Sequence, residues 1–210
     1  FEIKKTKVLN NAHAFRLARD KWQSLQLLAA YGLPIPSTSY IGELVESSSQ
    51  LALHFPAVVL KTLVGMQGTG VELYEETSAA LNKLKMLKQV GEKALVQDFI
   101  AETRGQDIRA FVIGDQVVAS MQRTAGNGDF RANLHQGGKA ESIELTEEEK
   151  QIAIQATKAI RLDVAGVDLI RSKQGPMILE VNASPGLEGI EKVSGKDIAG
   201  MMVDYVLPCM

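Results

Sequence analysis

Two pairs of strand-like segments in the second half of the chain are joined by very short turns. The turns contain Gly114-Asp115 and Lys173–Gly175, and the segments that flank them are 108–113 with 116–121, and 164–171 with 177–181. Strands joined in this way must pair antiparallel, because a parallel connection needs a crossover of a dozen or more residues. The hairpins therefore argue against a doubly wound parallel sheet and predict an α+β fold.

The rest of the chain mixes helical and strand-like patterns. Asp20 is expected to cap a helix over residues 21–31, and Thr77 is expected to cap a helix that Gly91 ends. Thr146 and Glu149 have the spacing of a capping box, which predicts a helix that runs to about Arg161. Further predicted elements are a weak helix over 11–19, strands at 57–61, 71–74 and 94–99, and a last helix over about 197–206.

A polar stretch over Ala101–Asp107 lacks apolar periodicity and is the predicted boundary between two subdomains. We therefore expect a leading segment over 1–19, one subdomain over 20–98 and another over 99–210. The chain begins with Phe1 rather than Met and has no signal-peptide pattern. We expect it to be part of a longer protein, with residues 1–19 leading from an upstream domain.

Charge and cysteine content limit the partners of the chain. Its 210 residues carry a formal net charge of −2, which argues against a general nucleic-acid binder. No apolar run approaches the roughly 18 residues of a membrane span. The single cysteine, Cys209, excludes an internal disulfide and fits a reducing compartment, so we expect a cytoplasmic protein. Met201, Met202 and Val206 could form an interface between copies, but core packing explains them equally well.

Lys61 precedes a loop that contains Gly65, Gly68 and Gly70 and lies between two predicted strands. Glycines let backbone N–H groups approach an anion closely, and a lysine supplies a positive charge for phosphate oxygens. The order of these residues fits neither a Walker loop, nor a dinucleotide fingerprint, nor a protein kinase. A phosphate-binding flap and an ordinary hairpin turn with a surface lysine both remain open.

Asp168, Glu180 and Asn182 form a second candidate group. Glu180 and Asn182 lie two residues apart on one predicted strand and share a face. A three-residue turn at Lys173–Gly175 places Asp168 directly opposite Glu180, whereas a two-residue turn places the two carboxylates on opposite faces. Three oxygen ligands of this kind suit Mg²⁺. The alternative is a pair of solvated carboxylates on an exposed face.

A long polar loop, predicted over 123–139, forms the third group. It carries Arg123, Arg131, Asn133 and His135 among glycines. Arginine forks suit carboxylate or phosphate groups, but a solvated mobile loop is the alternative, and we assign His135 to that alternative. A phosphate-binding loop, a metal site and an arginine loop together indicate ATP–Mg²⁺ chemistry, in which positioning and charge neutralisation provide catalysis.

Seven segments of the chain form an ordered set, namely 18–21, 58–61, 65–71, 95–100, 128–138, 163–168 and 180–191. In this order they resemble the ATP-grasp superfamily, and the resemblance covers about residues 8–205. The segment Glu180–Glu191 is more specific and resembles the RimK-type ribosomal-protein glutamate ligases, which add glutamate to the C-terminus of a small-subunit ribosomal protein.

The resemblance implies two α+β subdomains that grip ATP between them, and it assigns roles to individual residues. Those implied to bind the nucleotide are Lys21, Lys61, the lid glycines Gly65, Gly68 and Gly70, and Asp98, Phe99, Asp107, Arg131 and Asn133. Those implied to bind two Mg²⁺ or Mn²⁺ ions are Asp168, Glu180 and Asn182. Arg131 is implied to stabilise the transferred phosphoryl group. Arg109, Arg123 and Ser184 are implied to lie near the acceptor carboxylate.

The implied reaction is ATP-dependent ligation of a carboxylate to an amine through an acyl phosphate. Its implied partners are ATP, glutamate and the C-terminal tail of a ribosomal protein. One alternative is an ATP-grasp ligase that joins an amino acid to a metabolite or a carrier protein. A second alternative is a nucleotide-binding regulatory module without ligase activity.

Overall fold

The computed structural model describes residues 7–41, 57–63, 70–103, 105–126, 129–132 and 137–207. The chain divides into two compact units. The larger contains residues 1–35 and 103–210, and the smaller contains residues 36–102. Residues 20–35, which were expected in the smaller subdomain, belong to the larger unit.

The larger unit is built on an antiparallel sheet of five strands in the order β7-β6-β5-β8-β9. The strands are β5 (Gln106–Ile113), β6 (Gln116–Thr124), β7 (Lys139–Ser142), β8 (Val164–Ser172) and β9 (Gly175–Asn182). The helices of this unit are α1 (Ala12–Arg19), α2 (Lys21–Ala30), α4 (Glu147–Ile160), α5 (Glu188–Ser194) and α6 (Ile198–Val206). A short 3₁₀ turn over Ala101–Thr103 lies at the boundary of the units.

A hydrophobic cluster on one face of this sheet packs beneath α5 and α6. It is formed by Phe111, Ile113, Ala119, Met121, Val164, Ile190 and Ile198. Phe111 is fully buried and lies two residues from Arg109 on β5, so the two side chains point to the same face. This face is therefore apolar toward α6 and charged farther along β5.

The smaller unit has an antiparallel sheet of four described strands in the order β1-β4-β2-β3. The strands are β1 (Thr38–Ile41), β2 (Val58–Thr62), β3 (Val71–Tyr74) and β4 (Ala94–Asp98), and α3 spans Thr77–Gln89. The apolar core joins one face of the sheet to α3 and contains Val58, Leu60, Ala80, Leu84, Leu87, Ala94 and Val96. Lys61 and Gln97 alternate with these residues along β2 and β4, so their side chains point to the opposite face.

The α+β prediction is confirmed, because both sheets are antiparallel and carry packed helices. Asp20 caps α2 through bonds to two backbone N–H groups, and Thr146 and Glu149 form the predicted capping box. The predicted cap at Thr77 was wrong, since Thr77 is the first helical residue and Glu76 precedes it. Strands β1 and β7 and helix α5 were not predicted.

No helix within the described ranges is both long enough and apolar enough to cross a membrane.

Candidate functional site

The β8–β9 hairpin has a two-residue turn and an irregular register. Ser172 pairs with Gly175 and Leu169 pairs with Ile178, but Asp168 pairs with Glu180. Leu179 is therefore an extra residue on β9 with no partner on β8, which is a β-bulge. The pairing of Asp168 with Glu180, which was expected only for a three-residue turn, is observed with the two-residue turn. The bulge shifts the register by the one residue that the shorter turn removes.

The Asp168 carboxylate lies against two guanidinium groups. Its side chain is 4% exposed, and Arg109 donates to both carboxylate oxygens, with 2.7 Å between Nη2 and Oδ2. Arg123 also donates to Oδ2 of Asp168, at 2.9 Å. Burial raises the pKa of Asp168, but the charges of Arg109 and Arg123 outweigh burial and hold it below its usual range. Asp168 is therefore an ionised buried carboxylate, not a solvated surface group.

Arg123 connects Asp168 to Asp107. Its Nε and Nη2 donate to the two carboxylate oxygens of Asp107 at 2.6 and 2.7 Å. Burial raises the pKa of Asp107 to about 6, although the charge of Arg123 acts in the opposite direction. Burial lowers the pKa of Arg123, but the two carboxylates outweigh it and the pKa is raised. Arg123 was predicted in a loop; it lies instead on β6, directly opposite Asp107 on β5.

Gly166 provides the space that the Arg109 side chain uses to reach Asp168. A Cβ atom at Gly166 would lie 2.7 Å from the Cβ of Pro185 and 3.0 Å from the Cδ of Arg109. Gly166 pairs with Phe111 on β5 and with Asn182 on β9. A side chain at residue 166 would therefore clash with Pro185 and crowd the Arg109 side chain.

Asn182 and Glu180 complete the predicted ligand group. The Asn182 amide nitrogen lies 3.1 Å from Oε1 of Glu180 and 3.5 Å from Oδ2 of Asp168. In the described part of the chain, no three His, Cys, Asp or Glu side chains form a metal-sized cluster, so the third oxygen would come from the Asn182 amide. Two carboxylates and an amide fit a hard divalent cation. Such a cation requires the opposite orientation of the Asn182 amide, with its oxygen toward the carboxylates.

Asn10 joins the ends of β8 and β9 beside this group. Its amide nitrogen donates to the carbonyls of Val164 and Ala183 at 2.7 and 2.9 Å. Its amide oxygen accepts from the N–H groups of Asp163 and Val164 at 2.7 and 2.9 Å. The last ladder pair of the two strands is Gly166 with Asn182, so Asn10 holds the strands together where the ladder has ended.

Lys61 in the smaller unit donates to a buried amide. Its Nζ lies 2.6 Å from Oε1 of Gln97, whose residue is only 2% exposed. The Gln97 amide nitrogen donates to the Thr38 hydroxyl at 2.9 Å, and that hydroxyl donates to the carbonyl of Pro36 at 2.7 Å. The simple surface lysine that was left open as an alternative therefore does not describe Lys61.

Gly70 closes the β2–β3 hairpin in a backbone conformation that favours glycine. Its φ is +76°, and a Cβ atom there would lie 2.0 Å from the Thr62 hydroxyl oxygen. Gly65 and Gly68 lie outside the described residues. Asp98 ends β4, and the backbone N–H of Phe99 donates to the carbonyl of Ala57 at 3.2 Å.

The remaining candidates lie in the larger unit. Lys21 is the first residue of α2, directly after the Asp20 cap. Arg131 forms an ion pair with Asp129, with 2.8 Å between Nη2 and Oδ2. Their hydrogen bond, as the main cause, lowers the pKa of Asp129 and raises that of Arg131. Ser184 is exposed after β9. Asn133 and His135 lie outside the described residues.

The structure thus brings six candidates of the larger unit into one group, and places a separate group in the smaller unit. The six are Asp107, Arg109, Arg123, Asp168, Glu180 and Asn182. Sequence reasoning missed Gln97, Gly166 and Asn10. Gln97 had a visible signal, since it is a polar residue within the apolar strand Ala94–Asp98. A groove of about 600 Å³ between the β5–β6 turn and α6 contains none of the candidates.

Comparison with known proteins identifies the family to which the chain is similar. The family described as RimK-like ATP-grasp domain matches residues 18–206. A probable alpha-L-glutamate ligase of Haemophilus ducreyi is 54% identical over 207 residues, which are 99% of this chain and 68% of that protein.

The chain is also similar to solved structures of ATP-grasp proteins. The RimK domain protein ATP-grasp of Sphaerobacter thermophilus superposes with a TM-score of 0.76 at 26% identity, over 99% of this chain and 75% of that one. The ATP-grasp ligase PsnB, complexed with a phosphomimetic variant of its minimal precursor, Mg and ADP, has a TM-score of 0.77 at 25% identity. That match covers 98% of this chain, which spans 63% of the PsnB chain.

Proposed function

Because this chain belongs to the RimK-like ATP-grasp family of ATP-dependent ligases, we propose that it contributes the nucleotide and metal site of an alpha-L-glutamate ligase. We further propose that the acceptor is the C-terminal carboxylate of a small-subunit ribosomal protein. The observation that carries the proposal is the group in which Asp168, Glu180 and Asn182 share one sheet face beside two arginines.

The proposed reaction has two steps. An oxygen of the acceptor carboxylate forms a bond to the γ-phosphorus of ATP, and the bond from that phosphorus to the β–γ bridging oxygen breaks, releasing ADP. The α-amine of glutamate then bonds to the acyl carbon of the acyl phosphate, loses a proton, and phosphate leaves. Both steps depend on positioning the reactants and on neutralising phosphate charge.

We assign the neutralising charges to residues of this chain. Lys61 and Lys21 would donate N–H groups to phosphate oxygens, and Arg131 would face the transferred group. Asp168, Glu180 and Asn182 would hold two Mg²⁺ or Mn²⁺ ions, which supply charge neutralisation at the phosphates when bound. The bound nucleotide would also contact Gly65, Gly68, Gly70, Asp98, Phe99, Asp107 and Asn133.

Arg109 and Arg123 are proposed to meet the acceptor carboxylate. Both guanidinium groups already bind a carboxylate, that of Asp168, and Arg109 binds it in the two-point geometry that a substrate carboxylate would use. Asp168, which both arginines bind, is also one of the residues that would hold the cation.

A second acceptor class is favoured by one comparison. PsnB is described in complex with a minimal precursor, and another of its structures is described with the precursor peptide PsnA2 and AMPPNP. A peptide other than a ribosomal-protein tail is therefore the alternative acceptor. A metabolite or a carrier protein, and a regulatory role without ligation, have no such observation in their favour.

The test is ADP release by the purified protein with ATP, Mg²⁺, glutamate and a synthetic ribosomal-protein tail. Each component is omitted in turn, and the tail is replaced by an unrelated peptide that also ends in a free carboxylate. Release that needs both glutamate and the ribosomal tail supports the proposal. Release with the unrelated peptide at the same rate contradicts the ribosomal acceptor, and release that does not depend on glutamate contradicts the glutamate assignment.

A further inference from the structure

The chain Lys61–Gln97–Thr38–Pro36 has a fixed direction of hydrogen bonding. A backbone carbonyl only accepts, so the Thr38 hydroxyl must use its proton on Pro36 and must accept from the Gln97 nitrogen. At the other end, a lysine ammonium only donates, so the Gln97 oxygen must face Lys61. Each end alone determines the orientation of the Gln97 amide, and the two ends agree.

The strand register brings these side chains together. Thr38 on β1 lies directly opposite Gln97 on β4. Lys61 on β2 pairs with Leu95, two residues from Gln97 on the same face of β4. Gln97 is thus the central member of a row that crosses three neighbouring strands. Its 2% exposure means that the amide has little access to water as a substitute partner.

Gln97 is a neutral acceptor for Lys61. Lys83 in the same unit instead lies 2.7 Å from a carboxylate oxygen of Glu72, which opposes the lysine charge with a full negative charge. An amide oxygen restrains a flexible four-carbon side chain without cancelling its charge. A lysine that serves an anionic ligand benefits from a partner of this kind, which restrains its position without neutralising it.

We infer that Gln97 and Thr38 are positioning residues that hold the Lys61 ammonium in place for the phosphate groups of the nucleotide. This inference rests on the proposed role of Lys61. Thr38 acts through Gln97, because loss of its hydroxyl leaves the amide nitrogen without this acceptor and restrains the amide from the Lys61 side only. Gln97 acts on Lys61 directly. Neither residue needs to contact the phosphates.

The test compares Thr38→Val with Thr38→Ser. Valine has nearly the shape of threonine but no hydroxyl, whereas serine keeps the hydroxyl. The affinities of the chain for ADP and for adenosine are measured by competition with a fluorescent nucleotide. Thr38→Val is expected to weaken ADP binding by about tenfold, the value of one hydrogen bond, and to leave adenosine binding unchanged. Thr38→Ser is expected to bind both ligands like the parent chain.

Two further variants test whether the effect on ADP binding acts through Lys61. Gln97→Glu places a carboxylate beside the Lys61 ammonium, so it should weaken ADP binding and not adenosine binding. Lys61→Met should weaken ADP binding by itself, and adding Thr38→Val to it should cause no further loss. Thermal unfolding of each variant establishes that it is folded. Gln97→Glu provides the test if Thr38→Val does not fold.

The outcomes separate this inference from the proposed function. Unchanged ADP binding in both Thr38→Val and Gln97→Glu overturns the inference, as does an equal loss of adenosine and ADP binding. An additional loss in the Lys61→Met background also overturns it. If Lys61→Met binds ADP normally, the proposed phosphate role of Lys61 fails. If the parent chain binds neither ADP nor ATP, the proposed nucleotide site fails.

Discussion

Asp168 and Glu180 lie directly opposite each other on β8 and β9, and they do so because Leu179 between Ile178 and Glu180 has no partner on β8. The same bulge places Ile178 and Val181 on one buried face although they are three residues apart. Without the bulge, the two-residue turn would pair Asp168 with residue 179. The facing carboxylates therefore depend on a local irregularity of an edge strand.

Replacing Glu180 should test the metal assignment. Glu180→Gln keeps the size of the side chain but removes one of two facing carboxylate charges. We expect a loss of about 10²–10³-fold in kcat/KM for ADP release, because a group that neutralises phosphate charge is weakened. The Mg²⁺ concentration that gives half-maximal activity should also rise.

Glu148→Gln is the matched control, since Glu148 is an exposed residue in the first turn of α4. It should leave both the rate and the Mg²⁺ dependence unchanged. A near-normal rate for Glu180→Gln at the same Mg²⁺ concentration would remove Glu180 from the proposed ligand set.

Gly70→Ala should destabilise the smaller unit. The left-handed backbone conformation costs a non-glycine residue about 1–2 kcal/mol, and the new Cβ atom would also overlap the Thr62 hydroxyl. Gly32→Ala is the control, because Gly32 has a φ of +71° and nothing within 4 Å of the added Cβ. Urea unfolding should give a larger loss for Gly70→Ala, and equal losses would mean that the overlap is relieved without cost.

Asn10→Ala should destabilise the larger unit by about 2–3 kcal/mol in urea unfolding. The substitution leaves two backbone N–H groups and two backbone carbonyls without their partner. Asn11→Ala removes the side-chain cap of α1 and should cost about 1 kcal/mol. An Asn10→Ala loss no larger than that of Asn11→Ala would show that water replaces the Asn10 amide.

Glu149→Gln should remove a contribution to stability that depends on pH. Burial raises the pKa of Glu149, but its hydrogen bonds, led by that from Arg171, hold it below its ordinary value of 4.5. Ionised Glu149 therefore contributes stability that is fully present above about pH 4.5 and is lost as the pH falls through the lower folded-state pKa. At pH 7 the variant should be less stable by about 1 kcal/mol, and the difference should shrink toward pH 3.

The measurement is urea unfolding of the parent chain and of Glu149→Gln at pH 7, 5 and 3.5. Glu148→Gln, which neutralises the exposed neighbouring residue, should follow the parent chain at each pH. A difference between Glu149→Gln and the parent that is constant across this range would contradict the assigned contribution of the ionised carboxylate.

The sequence predicted features that depend on neighbouring residues. The Asp20 cap, the capping box of Thr146 and Glu149 and the two long hairpins each follow from a few adjacent side chains, and each is observed. Strands β1 and β7 were missed because each has only four residues and pairs with a strand distant in sequence or across a long loop.

Side-chain contacts between elements that are distant in the sequence were harder to predict. The six-residue group was anticipated as separate candidates, but nothing in the local pattern indicates that Arg109 and Arg123 share the Asp168 carboxylate. Asn10 is separated from its partners by more than 150 residues of chain, so its role appears only in three dimensions. The bulge at Leu179 was not predicted either, because a single unpaired residue does not change the sequence pattern of a short strand.

The limited space around the Cα atom of Gly166 has a consequence for sequence evolution in this family. A Cβ atom there would lie 2.7 Å from the Cβ of Pro185 and 3.0 Å from the Cδ of Arg109, so the glycine is constrained by both side chains. Relatives that keep the proline and the arginine should also retain glycine at the position of Gly166. Lineages that accept alanine or serine there should have changed the proline or the arginine as well. Covariation among these three positions would then record which descendants still hold the carboxylate in this way.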